Sequence, residues 1–133
     1  MFGCSVAVQR MLRAGGGGSI VNISSIQGTR AFPAYYVYDA AKAAVIMATK
    51  SIALDGREHG ITCGQIDIGN AETPMTARMA DGVLQPDGSS RPEPRMDVDD
   101  AARAVQYMAS LPPGSNVLFI TVMAAGMPFV GRG

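Results

Sequence analysis

The apolar positions of the chain change period repeatedly, and each change marks an element. Over residues 4–14, Val6, Val8, Met11 and Leu12 sit at helical spacing, with Arg10 and Arg13 near the end where cations suit the helix dipole. The four glycines at 15–18 stop this helix and make a tight connection, because a strand follows at once: residues 20–24 (IVNIS) are short, β-branched and bounded by glycine. Residues 25–33 read as loop. A long helix is predicted from 34 or 35 to 57, with Ala41, Val45, Ala48 and Ile52 on one face. Ala40, Ala43, Ala44, Ile46 and Met47 carry apolar character nearly round its middle turns. Such a helix is covered twice, by its own sheet and by either a partner subunit or the rest of a larger domain.

Gly60 ends that helix, and residues 61–68 (ITCGQIDI) predict a second strand. A loop over 69–73 leads to a short helix over 74–79, opened by Thr73 as N-cap with Pro74 in its first turn. Residues 81–95 are polar and interrupted by glycine and proline, which predicts an exposed, mobile loop. Asp97 caps a helix over 98–110 whose apolar face is Ala101, Ala104, Val105 and Met108. After Pro112, Pro113 and Gly114, residues 117–123 (VLFITVM) predict a third strand of wholly buried type. Helix and strand alternate throughout, the pattern of a parallel α/β sheet with crossover helices. Three such strands leave the first with a bare edge unless more chain precedes it.

Composition narrows the class. The apolar residues are 47% of the 133 and the charged ones 17%, enough to bury one core. Eleven basic residues balance eleven acidic ones, and no basic cluster supplies the footprint of a nucleic-acid or anionic-membrane binder. No apolar run is long enough to span a bilayer and no secretory leader is visible, so a soluble cytoplasmic protein is expected. Cys4 and Cys63 are expected to be buried free thiols, and His59 lacks a second ligand at metal spacing, so no metal site is expected.

Tyr38 and Lys42 stand i, i+4 near the start of the long helix, which stacks phenol and ammonium on one face. A phenol is a poor base at neutral pH; an adjacent ammonium lowers its pKa toward the working range, so Tyr38 can exchange a proton with an alcohol or carbonyl oxygen. A surface tyrosine over a solvated lysine is the plain alternative. Thirteen residues earlier, Ser25 closes the IVNIS strand, where a loop could bring its hydroxyl to the same oxygen or use it only in a turn. Asn22 is expected to serve the strand and its surroundings.

Taken together, GGSIVNISS, the loop after it and YDAAKAAV resemble the core of the classical short-chain dehydrogenase/reductase family. HGITCGQIDIGNAETPM resembles that family's strand and Pro-Gly-x-x-x-Thr loop, and DVDDAARAVQYMAS with VLFITV resembles its closing helix and strand. The likeness covers nearly the whole chain. It implies the C-terminal, catalytic part of one Rossmann-type doubly wound domain over residues 1–133, with the N-terminal nucleotide-binding half absent. It implies an NAD- or NADP-dependent oxidoreductase acting on a small carbonyl or alcohol substrate, homodimeric or homotetrameric at full length. Ser25 would polarise the substrate oxygen, Tyr38 would be the general acid/base, and Lys42 would bind the nicotinamide ribose and lower the tyrosine pKa. Tyr38, Lys42, Gly69, Ala71 and Thr73 would contact the cofactor, the last two holding the carboxamide.

Two departures stand out. Ile68 replaces the proline usual before Gly69, which loosens the expected preorganisation of that loop. Asp39, beside Tyr38, would oppose phenolate formation if its carboxylate turned inward. The sequence also carries no Gly-rich phosphate loop after a strand and no Asn-Asn-Ala-Gly segment, and Met1 is expected to begin inside a helix. The competing reading is a catalytically inactive chain acting as an association or scaffold module through its apolar helices.

Overall fold

The computed structural model describes residues 2–85 and 87–131, so Met1, Pro86, Arg132 and Gly133 lie outside the described residues. Helix α1 (Phe2–Ala14) ends at Gly15, which turns to φ +70° and donates its N–H to Met11 O at 3.0 Å. Gly17, at φ +71°, then passes so close to Gly60 that a Cβ would lie 2.5 Å from the Gly60 carbonyl oxygen. Only glycine satisfies both conditions.

Strand β1 (Gly18–Ser25) pairs in parallel with β2 (Ile61–Ile68), placing Asn22 opposite Gln65 and Ser25 opposite Ile68. The third sheet strand, β5 (Phe119–Val122), pairs in parallel with β2 from the other side, giving the order β1-β2-β5. The parallel α/β architecture expected from the alternation is therefore present, and among the described residues β1 is paired along one side only. Between β2 and β5 lie two two-residue strands, β3 (Val83–Leu84) and β4 (Ser90–Arg91), forming an antiparallel hairpin.

Helix α2 (Tyr36–Asp55) covers one face of the sheet and α3 (Val98–Ala109) the other. Gly64 shows the second contact: a Cβ there would lie 2.8 Å from Met108 Cε and 2.2 Å from Val117 O. Thr49 shows the first. Its hydroxyl accepts from Asn22 Nδ2 at 2.9 Å and donates to Gln65 Oε1 at 3.1 Å, while Gln65 Nε2 donates to Asp67 Oδ1 at 2.7 Å. Cys4 Sγ begins the same row, donating to Asn22 Oδ1 at 3.3 Å. Thr49 and Gln65 are both 0% exposed, so the layer between α2 and the sheet is polar at its centre. Asn22 thus serves the strand's surroundings, as expected.

The apolar core lies toward the C-terminal ends of the strands, where Ile26, Ala71, Met96, Ala101, Ala124 and Met127 cluster against Ile68, Val122 and Phe129. It ties the loops that follow β1, β2 and β5 into one body.

Four expectations need correction. The inward face of α2 runs through Val45, Ile46, Thr49 and Ile52, with Ala41 exposed, because the sheet contact centres on the Thr49 hydrogen bonds. Residues 81–85 and 87–95 carry a turn and a short hairpin where only loop was expected: Gln85 N donates to Ser89 O at 2.7 Å, Asp87 Oδ1 accepts from Ser89 N at 2.9 Å, and Gly88 adopts φ +81°. Strand β5 is shorter than 117–123 and not wholly buried, with Phe119 38% exposed, since it is an outer strand. Both cysteines are free, but Cys4 is half-buried where Cys63 is buried.

Candidate active site

Tyr38 and Lys42 occupy the first turns of α2, at the end of the helix that meets the C-terminal ends of β1 and β2. Lys42 Nζ lies 5.5 Å from the centroid of the Tyr38 ring, a cation–π contact. Tyr38 is 44% exposed, open to a molecule from outside. Among the described residues Lys42 makes no ion pair, so its ammonium donors are free for hydroxyl acceptors.

Ser25 closes β1, and its Oγ accepts from Gln27 N at 3.3 Å, capping a 3-10 turn over Ile26–Gly28. The turn presses on α2: a Cβ on Gly28 would stand 3.0 Å from Lys42 O. The Ser25 loop and the Tyr38–Lys42 turn are therefore neighbours, although no hydrogen bond joins Ser25 to Tyr38 among the described residues. The remainder of this loop is fixed by Asp39, whose Oδ2 accepts from Phe32 N at 2.9 Å. This carboxylate engages the loop backbone, and its buried Oδ1 has no partner among the described residues. Ala34 takes φ +65° to let the chain enter the helix, and Tyr35 N donates to Phe32 O at 3.2 Å. Arg30 reaches across to the C-terminal segment, donating to Pro128 O at 2.7 Å and to Phe129 O.

The loop after β2 leaves the same end of the sheet as the Ser25 loop. Gly69 N donates to Val122 O at 2.9 Å, and a Cβ on Gly69 would be 2.7 Å from both Met123 Cβ and Met127 Sδ. Gly69 is thus required by packing, independent of any ligand. Asn70 holds the loop where a proline would otherwise restrain it: its carbonyl accepts from Met96 N at 2.9 Å and its Nδ2 donates to Glu93 Oε2 at 3.0 Å. Thr73 forms a capping box with Thr76 over a 3-10 helix, Pro74–Ala80. Thr76 Oγ1 also donates to the Ala71 carbonyl. The Ala71 bridge to Met96 uses the flanking Asn70 O and Glu72 N, leaving the Ala71 N–H facing away from Met96.

The structure therefore assembles Tyr38, Lys42, Ser25 and the 69–73 loop at one end of the sheet. Of the methionines near this loop, Met96 belongs to the apolar core and Met75 is exposed. Asn70 and Arg30 act through contacts distant in sequence, and no local pattern marks them. The Asp87-Gly88 pair, by contrast, is an ordinary hairpin signal that the glycine- and proline-rich surroundings mask. The Lys42 ammonium and the Ala71 N–H, turned away from Met96, are donors of the kind that ribose hydroxyls and a carboxamide oxygen accept from.

Residues 1–117 match the family model described as enoyl-(acyl carrier protein) reductase. The chain is 36% identical over 111 residues to a 2-(R)-hydroxypropyl-CoM dehydrogenase of Xanthobacter autotrophicus, covering 81% of this chain and 44% of that protein. Among solved structures, acetoin dehydrogenase from Enterobacter cloacae superposes with a TM-score of 0.71 at 26% identity, over 89% of this chain and 46% of that one. A gluconate 5-dehydrogenase from Burkholderia cenocepacia, in complex with NADP and tartrate, superposes with a TM-score of 0.68 at 26% identity, over 89% and 47%. The chain spans less than half the length of these relatives.

Proposed function

The chain belongs to the short-chain dehydrogenase/reductase family, and we propose that it supplies the proton-transfer side of an NAD- or NADP-dependent oxidation or reduction of a small alcohol or carbonyl compound. The observation that carries this reading is the Lys42 ammonium 5.5 Å from the Tyr38 ring, at the loop-bearing end of a parallel sheet. A bound nicotinamide would exchange the hydride with the substrate carbon.

In the direction of reduction, the O–H bond of Tyr38 breaks as the carbonyl oxygen takes its proton, and the half-exposed phenol recovers a proton from solvent. Ser25 Oγ, which uses a lone pair to cap the 3-10 turn, keeps its O–H to donate to the same oxygen and orient it. Lys42 binds ribose hydroxyls and places positive charge beside the phenol as it loses its proton. Ala71 N–H and the Thr73 hydroxyl hold the carboxamide, and the Gly69 turn brings them there. Asp39, tied to Phe32 N, keeps its charge on the loop.

The test is nicotinamide absorbance with Tyr38→Phe. Removing the phenolic proton should lower kcat by about 100- to 10,000-fold while leaving cofactor binding, read by nicotinamide fluorescence, within a factor of two. Unchanged turnover would overturn the assignment. No saturable nicotinamide signal from the folded wild type would favour the association-module reading. Self-association belongs to the proposal too. An apolar groove of about 670 Å³ lies between α1 and α2, lined by Cys4, Val8, Ala44, Met47, Ala48 and Ile52, and a homodimer or homotetramer would cover it. No helix among the described residues is long and apolar enough to cross a membrane, and a cytoplasmic setting fits that and the family.

A further inference from the structure

Arg78 stands on the 3-10 helix Pro74–Ala80, and its Nη2 donates to Tyr35 Oη at 3.4 Å. Tyr35 is the N-cap residue of α2, three residues before Tyr38. The guanidinium is therefore tied to the same end of α2 that bears the Tyr38 phenol. Its base is firm, because the capping box of Thr73 and Thr76 and the bond from Thr76 Oγ1 to Ala71 O fix the turn to the 69–73 loop.

The charged side chains of these loops are unevenly paired. Arg95 pairs with Glu72 at 3.8 Å and Arg91 with Asp87 at 3.4 Å, while Arg30 is spent on two backbone carbonyls. Asp39 is committed to Phe32 N, and Asp81, three residues beyond Arg78, forms no ion pair with it. Among the described residues Arg78 meets only a neutral phenol. A planar, permanently charged fork held by one neutral acceptor keeps its remaining donors for an oxyanion.

We propose that Arg78, steadied by Tyr35, is the specificity-determining residue that receives an anionic substituent of the substrate, a carboxylate or sulfonate separated from the reacting carbonyl by a short chain. This rests on the oxidoreductase reading above and narrows its substrate class.

The test compares two carbonyl compounds of matched size, a short keto acid and its neutral keto amide, with wild type, Arg78→Gln and Arg78→Lys. Wild type should favour the keto acid by about tenfold or more in kcat/KM, a charge-assisted hydrogen bond's worth. Arg78→Gln should raise KM for the keto acid about 10- to 100-fold, far more than for the amide, and Arg78→Lys should restore part of it. Equal preference in wild type, or equal losses for both compounds in Arg78→Gln, overturns the anion assignment and leaves the oxidoreductase reading standing. Failure of wild type to reduce either compound overturns both. Cofactor titration by nicotinamide fluorescence separates a second source of anion: if Arg78→Gln weakens NADPH relative to NADH, the anion belongs to the cofactor and the assignment falls.

Discussion

Cys63 sits at the centre of β2 with no exposed surface, and burial, with the nearby Cys4 adding to it, pushes its thiol from 9.0 up to about 11. The folded state therefore holds this proton more tightly than the unfolded chain. Its contribution to stability is complete below about pH 9 and is lost as pH rises through the folded value near 11. Urea unfolding of wild type and Cys63→Ala at a series of pH values should show an extra decline in wild type, of roughly 2 kcal/mol across that window, which the variant lacks. The candidate site shows how unevenly residues disclose themselves. Tyr38 and Lys42 are legible because one helix repeat brings them together, and Ser25 because it ends a strand. Asp39 was ambiguous until the fold turned its carboxylate onto Phe32 N. Arg78 and Asn70 were silent, since their partners Tyr35 and Glu93 lie far along the chain.

The elements follow local rules where short-range signals agree, and depart from them where tertiary contacts decide. Strand β2 begins and ends where its pattern predicts, at Ile61 and Ile68, between Gly60 at φ +65° and Gly69. Helix α3 starts at its predicted cap, with Asp97 Oδ1 accepting from Asp99 N at 2.9 Å. The face of α2 could not be read in the same way, because threonine is not an obvious core residue. Thr49 becomes one only because Asn22 and Gln65 meet its hydroxyl from two strands. Thr49→Val keeps the volume but leaves the buried Gln65 Oε1 unpaired and Asn22 Nδ2 with only Cys63 Sγ at 3.5 Å. It should cost about 2–4 kcal/mol in urea unfolding, with Thr49→Ser recovering most of the loss. A cost below about 0.5 kcal/mol would show that the polar row does not hold α2 to the sheet.

At the scale of the whole molecule, the apolar coverage expected of α2 is visible as two separate surfaces. One is the sheet face; the other is the groove shared with α1, where Met47 is 61% exposed. A charge there should oppose any covering subunit. Sedimentation of Met47→Glu should give a smaller assembly than wild type, and the same mass for both would remove α2 from the interface. The family and the order of its elements were legible because most of its motifs are contiguous. The placement of the hairpin, the 74–80 turn and the C-terminal segment was not, because contacts far along the chain, such as Arg30 to Pro128 O and Glu93 N to Met79 O, hold them.

Among the described residues the eight residues of β1 pair with no strand but β2, and Ile23 in that strand is 52% exposed. Every second peptide along its other side therefore offers an N–H and a C=O with no strand to meet. For the chain as described, mass action acts through that rail: whatever docks on it binds the folded form and not the unfolded one. The melting temperature of these residues is then a property of the solution as much as of the fold, rising with the concentration of whatever pairs with that edge.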